Sequence, residues 1–565
     1  MLAESSPNPG RILAEVVSVC PNLPPLGTHR RHERMGSVDV STVLLLVLAA
    51  VAAIVLTHRF AEATGLPEPA LLTLIGIAYA VLPGPNVELD PHLVLTLLIP
   101  PLLYSAALDS SLLAIRLNLR AVISLSVLLV LATALIVGAG FALFVAGATL
   151  AAGVALGAAI APPDPVAALA VGRKIGLPPR LLTLIQGEGL LNDATALTLL
   201  TVAVAAVTGD GYSTSSAAAQ FVVAAAGGVL VGFAVAYAVR WIRRWSQDPL
   251  VLNAVSLATP FVAYLLGEEL HVSGVLAVVI AGLAIGHDSP RSISGASRLQ
   301  VNAVWRLVSF LLEGLVFLLI GQQLPPVMRG LNEYATSTIV IASIISVGVV
   351  LVLRPLWLTG TQLLGPARDR LTAREVLVLS WAGTRGVITL AAIYTLPLST
   401  DSGAPFPDRN LLIYCAFLVV LVTLVGQGIT FGPLVRALGL RASRVDQARL
   451  RNEARSAAVH AGLARLDELE TRTHDASEDQ AIRLLRQQLE TRLARYEHRL
   501  DLLEDAEDEI PASPAYDAAV RLHLAVIEAE REELLRMRET GQLPDASLRV
   551  LELELDHREV LLPRR

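Results

Sequence analysis

Residues 161–166 read APPDPV and residues 187–194 read GEGLLNDA, and both stretches lie inside segments that are otherwise apolar enough to span a membrane. Together they place Asp164, Glu188 and Asp193 at membrane depth. An ionisable group inside a bilayer is unfavourable unless it has a partner or faces a watery cavity. A chain that keeps three such groups is most simply interpreted as one that moves ions or protons through the membrane.

The composition supports a membrane protein with a polar tail. Hydrophobic residues make up 54% of the chain, charged residues make up 17%, and the mean hydropathy is +0.60. The net charge of -6 arises mainly in the C-terminal part. Because no basic stripe is interleaved with aromatic residues, nucleic acid is not expected as a partner. Cys20 and Cys415 are the only cysteines, which excludes a disulfide framework and a zinc site.

Hydropathy predicts an all-α polytopic membrane protein with about 13 transmembrane helices. In chain order, segments 1 to 13 cover residues 41–58, 70–83, 93–108, 120–146, 150–171, 181–207, 218–240, 249–266, 272–287, 303–322, 337–359, 375–396 and 410–435.

The chain divides by composition into three parts. We expect a disordered N-terminal extension at 1–37, a transmembrane domain at 38–440 and a cytoplasmic helical domain at 441–565. The extension lacks an apolar core of signal-peptide length, and either Met1 or Met35 is the start of translation. The tail contains no phosphate loop, dinucleotide fingerprint or metal-ligand spacing. No cofactor and no covalent chemistry are therefore expected.

The loops between segments carry an alternating charge. Every second loop is basic, and these loops contain His58 and Arg59; Arg116 and Arg120; Arg173, Lys174 and Arg180; Arg240, Arg243 and Arg244; Arg291 and Arg298; Arg368, Arg370 and Arg374; and Arg436 and Arg441. The intervening loops are mostly acidic. The positive-inside rule places the basic loops in the cytoplasm. This predicts a multi-pass protein of the cell membrane with its N-terminus outside and its C-terminal tail inside.

Two segments cannot be regular helices. In segment 5, Pro162, Pro163 and Pro165 each lack an amide proton, so the turns around Asp164 must open. In segment 12, Arg385 lies between two glycines. The two segments are seven apart in chain order, which is an odd number, so the broken helices cross the membrane in opposite directions, as in transporters built from inverted repeats. The alternative is a pair of kinked packing helices without an ion site.

Segment 6 divides its polar residues between two directions. At about 100° per residue, Glu188 and Asn192 share one face, whereas Asp193 lies roughly 140° away from Glu188. Asn192 and Asp193 can face the opened turn of segment 5, and Glu188 can face a neighbouring helix. Arg385 is the basic residue that we expect to pair with Glu188, and such a pair is structural because the two charges compensate each other.

These motifs resemble the monovalent cation:proton antiporters of the Na+/H+ exchanger (NhaP/NHE) type over about residues 38–440. The resemblance implies that Asp193 binds the cation or the proton and that Asp164 and Asn192 shape the site, so that Asp193 and Asp164 hold the transported Na+. It also implies a stabilising Glu188–Arg385 pair. An Asn-Asp pair resembles the electroneutral branch, in which one cation (Na+, or Li+ or K+) is exchanged for one proton. A homodimer in the lipid bilayer is expected.

Two questions stay open from the sequence. Glu313 in segment 10 either supplements the Glu188–Arg385 network or takes a direct part in transport. The function also has two alternatives: proton-coupled uptake of an organic anion, for which the N-termini of broken helices are suited, and a membrane-anchored sensor whose working part is the tail. The excess of membrane-depth acids over Arg385 favours a cation site.

Overall fold

The computed structural model describes residues 40–82, 93–209, 214–246, 248–364, 370–472, 476–504 and 514–560. The predicted N-terminal extension, 1–37, lies outside the described residues. The described chain is helical, with an isolated β-bridge between Ser399 and Pro405. The predicted all-α fold class is therefore confirmed.

The helices described between residues 40 and 269 are α1 Val40–Thr64, α2 Glu68–Val81, α3 Ile99–Leu108, α4 Leu112–Leu117, α5 Leu119–Ile123, α6 Leu129–Phe144, α7 Leu150–Ile160, α8 Val166–Ile175, α9 Pro179–Thr208, α10 Thr214–Trp245 and α11 Pro249–Glu269. They are followed by α12 Gly274–Ser292, α13 Gly295–Gln322, α14 Leu324–Arg329, α15 Thr336–Leu364, α16 Ala373–Trp381, α17 Val387–Tyr394, α18 Arg409–Leu421, α19 Gly428–Ala437, α20 Arg444–Glu470, α21 Ala476–Glu504, α22 Pro514–Glu539 and α23 Asp545–Val560. The described residues include three π-helical stretches, Val94–Leu98, Ser124–Leu128 and Val422–Gln427, which lead directly into α3, α6 and α19.

Each of the thirteen predicted segments overlaps helix in the part of the chain that the structure describes. Eight helical runs in the described part are long and apolar enough to cross a membrane: Leu44–Thr64, Leu119–Phe144, Pro179–Thr208, Ala219–Trp245, Pro249–Glu269, Gly295–Arg329, Thr336–Leu363 and Arg409–Ala437. The other five predicted segments correspond to α2, to α3 with its π-helical start, to α12, and to the broken pairs α7/α8 and α16/α17. The exact number of membrane crossings stays a prediction.

Small residues bring α7 against α6 and place its end deep in the bundle. A Cβ atom on Gly157 would lie only 2.6 Å from the Cα of Ala134, and one on Gly153 would lie 2.9 Å from the Cα of Gly138. Backbones that approach this closely pack through van der Waals contact, which is how helices associate in membranes. The end of α7, where the proline-rich stretch begins, is therefore fixed within the protein interior.

Helix boundaries follow local signals. Thr149 accepts a hydrogen bond from the Ala152 amide at the start of α7, and Thr372 and Glu375 form a capping box at the start of α16. Gly176 ends α8 in the left-handed conformation, with φ of 84°. Three of the four halves of the broken segments, α7, α8 and α16, thus have their own start or stop signal.

The C-terminal helices carry their charge in ion pairs on exposed faces. Arg486 on α21 bonds Asp467 and Glu470 on α20 at 2.8 and 2.7 Å. Similar pairs join α22 and α23, such as Arg558 with Glu530 at 2.7 Å. The composition of these helices matches the predicted helical tail, whereas its cytoplasmic location stays a prediction.

Candidate functional site

The two broken segments meet at their breaks. The amide of Asp164 donates to the carbonyl oxygen of Thr384 at 2.6 Å, and the hydroxyl of Thr384 donates to the carbonyl oxygen of Asp164 at 2.9 Å. Pro162, Pro163 and Pro165 cannot donate backbone hydrogen bonds, so this part of the chain cannot satisfy itself as a helix. The reciprocal pair ties the loop between α7 and α8 to the loop between α16 and α17.

The Asp164 carboxylate lies at the start of α8 and beside a glycine. Its Oδ1 accepts from the amide of Val166, the first residue of α8, at 3.0 Å. A Cβ atom on Gly386 would overlap this carboxylate, reaching its Cγ at 2.6 Å. Position 386 must therefore lack a side chain if Asp164 is to occupy its observed place.

Asn192 and Asp193 extend from α9 toward the same break. The Nδ2 of Asn192 donates to the Pro163 carbonyl oxygen at 2.8 Å, and its Oδ1 is buried without a hydrogen-bond partner among the described residues. The neighbouring Asp193 is 5% exposed. Within the same part of the chain, the hydrogen bonds and ion pairs of the site do not include the Asp193 carboxylate. An acceptor oxygen and a carboxylate are thus both available at the break.

A cavity of about 590 Å³ opens onto these residues. Its wall includes the carboxyl-bearing residues Asp164, Asp193 and Glu313, and the hydroxyl-bearing residues Ser105 and Ser309. The Ser309 hydroxyl donates to that of Ser105 at 2.8 Å, which joins α13 to α3 across the wall. Sequence reasoning did not single out these serines as cavity residues. The cavity brings together Asp164 from the loop between α7 and α8, Asp193 from α9 and Glu313 from α13.

Glu188 faces away from this cavity and binds an arginine that the sequence analysis missed. The Arg354 Nη2 donates to the Glu188 Oε2 at 2.8 Å, and Nη1 donates to the other carboxylate oxygen. Both side chains are almost fully buried, at 3% and 1% exposure. The prediction that Glu188 pairs with Arg385 is therefore wrong in its partner. Arg354 lies within apolar segment 11, so a charge at membrane depth was a signal that could have identified it.

Arg385 instead caps the opened end of α7. Its Nε and Nη2 donate to the carbonyl oxygens of Ile160 and Ala161, each at 3.0 Å, and its Nη1 donates to that of Gly383. In a continuous helix the Ile160 oxygen would accept from the amide of residue 164, which is directed to Thr384, and the Ala161 oxygen would face a proline without an amide proton. The guanidinium satisfies the carbonyls that the prolines release.

Comparison with known proteins shows the family of the chain. The model of the family described as sodium/hydrogen exchanger, transmembrane, matches residues 46–437. The chain belongs to this family. Its members are cation/proton antiporters, so the protein is a transporter and not an enzyme.

Several relatives extend the match. An uncharacterized Na(+)/H(+) exchanger of Mycobacterium tuberculosis is 34% identical, over 92% of this chain and 95% of the relative. A sodium, potassium, lithium and rubidium/H(+) antiporter of Bacillus subtilis is 32% identical, over 68% of this chain and 60% of the relative. The structure of the sodium proton antiporter MjNhaP1 from Methanocaldococcus jannaschii at pH 8 has a TM-score of 0.55 and 20% identity, over 70% of this chain and 99% of that one. This last likeness supports the fold.

Proposed function

We propose that the protein exchanges Na+ for H+ by alternating access, with the cation and the proton competing for Asp193. The observation that carries the proposal is the position of Asp193: a nearly buried carboxylate on a cavity wall, next to a helix break, outside the site's hydrogen bonds. A buried charge without a protein partner is unfavourable, so a bound cation or proton compensates it. Only one of the two can do so at a time.

The neighbouring oxygen atoms suit a hard monovalent cation. Asp193 and Asp164 offer carboxylates, and the buried Oδ1 of Asn192 offers an acceptor that no described residue uses. Hard cations prefer oxygen ligands such as these, together with water and backbone carbonyls. Li+ and K+ are further candidate substrates, because the Bacillus subtilis relative is named as an antiporter of sodium, potassium, lithium and rubidium.

The charge balance of the site favours electroneutral exchange. Glu188 and Arg354 form a pair with no net charge, and Arg385 is bound to backbone oxygens. Asn192 does not titrate, so Asp193 is the acid of the paired motif that alternates between cation and proton. One cation then replaces one proton on the same carboxylate. Glu313 lies on the same wall and is proposed to attract cations into the cavity.

The extent of the cavity supports a proposal for the alternating-access state of the transporter. From the acids it extends to Asp109, Arg173 and Arg306. Arg173 belongs to a loop that the positive-inside rule assigns to the cytoplasm. We therefore assign the cavity to an inward-open state in the cell membrane, with the N-terminus outside and residues 441–565 in the cytoplasm. A homodimer of this domain is part of the same proposal.

The test is exchange by purified protein in liposomes that contain a pH-sensitive dye, with Na+, Li+ and K+ added in turn. Asp193→Asn should abolish exchange with every cation, because it preserves the shape and removes the titrating group. Asp164→Asn should be severely impaired. The matched control is Asp109→Asn, which neutralises an exposed acid at the far end of the same cavity and should retain exchange. Normal exchange by inserted, folded Asp193→Asn protein would refute the proposal.

A further inference from the structure

Glu313 lies on the wall of the 590 Å³ cavity without a protein partner. Its side chain extends from α13 and is half-buried. In the part of the chain that the structure describes, its carboxylate takes part in no hydrogen bond and no ion pair. The charges that act on it are those of Asp164, on the same wall, and Glu68, on α2. Both of these neighbours are acids, so neither compensates it.

The arginines of the cavity wall do not compensate Glu313 either. Arg173, near the end of α8, and Arg306, on α13, both have exposed side chains. The Nε of Arg306 donates to the Asn302 carbonyl oxygen at 3.3 Å, one turn before it, whereas Glu313 lies two turns after it. Within the described chain, neither arginine forms an ion pair with Glu313. The carboxylate therefore needs a counter-charge from the cavity itself.

The Ser309 hydroxyl presents an acceptor oxygen next to this carboxylate. Ser309 lies four residues before Glu313, so the two side chains are neighbours on one face of α13, and both line the cavity. The Ser309 hydroxyl donates its proton to the Ser105 Oγ at 2.8 Å, and the Ser105 hydroxyl donates to the Leu102 carbonyl oxygen at 2.9 Å. Both hydroxyl protons are thus used, and no described group donates to the Ser309 oxygen.

Two acceptors side by side do not satisfy each other. Because the Ser309 proton is bound to Ser105, the Ser309 oxygen cannot donate to the Glu313 carboxylate. A water molecule between them supplies hydrogen-bond donors but leaves the charge uncompensated. A hard cation satisfies both groups, because it takes carboxylate and hydroxyl oxygens as ligands.

This pair is separate from the site at the helix breaks. Asp193 and Asp164 belong to α9 and to the loop between α7 and α8, whereas Ser309 and Glu313 belong to α13, with Ser105 on α3 behind them. Both sets line the same cavity, so an ion can pass from one to the other without crossing protein.

We propose that Ser309 and Glu313 form a second cation site, an entry site, where Na+ exchanges part of its water for protein oxygens before it reaches Asp193. Ser105 is a positioning residue, because it holds the Ser309 proton and leaves the Ser309 oxygen free to accept. The inference rests on the proposed exchange for the identity of the ion. The site itself is defined by the two side chains and can be tested without transport.

The experiment measures binding of radioactive Na+ to purified full-length protein in detergent, at alkaline pH, with choline replacing Na+ at constant ionic strength. Asp193→Asn should remove one Na+ and leave a second, weaker one. Adding Glu313→Gln should raise the Kd of this second Na+ by about tenfold or more, because a full charge beside the ion is lost. Adding Ser309→Ala should also weaken it. Ser309→Ala changes no charge, so that loss cannot come from a weaker field in the cavity.

The matched control adds Asp109→Asn to Asp193→Asn, which neutralises an exposed acid of the same cavity. It should change the affinity less than about twofold, because exposed charges are screened. Absence of Na+ binding by folded Asp193→Asn protein, or no further loss on adding Glu313→Gln or Ser309→Ala, would overturn the entry site. Equal binding by the wild type and Asp193→Asn, with loss only in Glu313→Gln, would instead refute the role of Asp193 and leave the entry site standing.

Discussion

At the scale of single residues, the two buried arginines next to the helix breaks, Arg354 and Arg385, have different tasks. Arg354 binds both oxygens of the Glu188 carboxylate and the Leu379 carbonyl oxygen, so it neutralises a buried acid. Arg385 donates to carbonyl oxygens at the end of α7, where the partial negative charge of a helix terminus is concentrated. The first arginine compensates a full charge, and the second compensates the backbone.

A double-mutant cycle separates these tasks. Glu188→Ala or Arg354→Ala should each destabilise the protein by about 3–5 kcal/mol, because the partner is left charged and buried. The double variant should be more stable than the sum of the single losses predicts. The measurement is thermal unfolding of the purified protein, calibrated as free energy.

The same cycle with Glu188→Ala and Arg385→Ala is the matched control and should give a smaller coupling energy. Arg385 does not contact the Glu188 carboxylate but binds the oxygens of Ile160, Ala161 and Gly383. A coupling between Glu188 and Arg385 that equals or exceeds that of the Glu188–Arg354 pair would contradict the observed geometry.

At the scale of elements, the site exists because two broken helices interlock. The amide of Asp164 binds Thr384, and Arg385 binds the end of α7, so each break supplies what the other lacks. Gly386 permits the approach, since its missing side chain leaves room for the Asp164 carboxylate. The amide of Arg385 in turn donates to the Thr423 hydroxyl at 2.9 Å, which anchors the second break to a π-helical stretch.

Gly386→Ala tests this interlock. The new Cβ would overlap the Asp164 carboxylate and force it or the break to move, and displacement of a reacting group by about 1 Å lowers rates by about a hundredfold. The rate of exchange in liposomes should fall by about a hundredfold, although the variant still inserts into the membrane. The control is Gly348→Ala in α15, where a Cβ meets nothing within 4 Å. Wild-type exchange by Gly386→Ala would show that the close approach is dispensable.

The sequence predicts the breaks well and their partners poorly. The prolines at 162, 163 and 165 open the turn because of their own covalent structure. The interruption of segment 5 can therefore be predicted from the sequence without knowing the tertiary structure. The partner of Glu188 depends on which arginine side chain long-range packing brings near, and both Arg354 and Arg385 lie in apolar segments. Periodicity gives the direction of Glu188 on α9 but does not identify the helix opposite.

The partner of the backbone carbonyl oxygens that the prolines release was equally beyond prediction from the sequence. The prolines predict that backbone oxygens near residue 160 need a partner, and the segment 12 motif predicts a charge at membrane depth. Joining the two observations requires the crossing of the segments, which the structure supplies through Arg385. The cavity between α3, α9 and α13 is likewise a property of packing, and Ser105 and Ser309 become recognisable only there.

At the scale of the whole molecule, the site and the tail are separate in sequence. The residues that line the cavity lie between Ile99 and Thr389, whereas the C-terminal helices begin at Arg444. One link is visible where the tail begins: the amide of Ala442 donates to the carbonyl oxygen of Gly176, at the end of α8, at 2.8 Å. The start of the tail is therefore hydrogen-bonded to the end of α8, the helix that begins beside Asp164.

Removal of residues 444–565 tests whether the membrane domain works alone. This truncation keeps the hydrogen bond between Ala442 and Gly176 and every residue of the cavity wall, so exchange should persist at a measurable rate. The measurement is the Na+-driven pH change in liposomes, normalised to the amount of inserted protein. Absence of exchange in a folded, inserted truncation would favour the sensor alternative, in which the tail is the working part.

Competition at one carboxylate is the central claim, and the exchange rate against pH at several Na+ concentrations tests it most directly. At low pH, protons occupy Asp193 and raise the apparent KM for Na+ with little change in the maximal rate, whereas at high pH a shortage of protons slows the return step. We predict a bell-shaped profile whose acid limb moves to lower pH as the Na+ concentration rises. An acid limb that stays at the same pH at every Na+ concentration would contradict competition and would indicate a separate pH sensor.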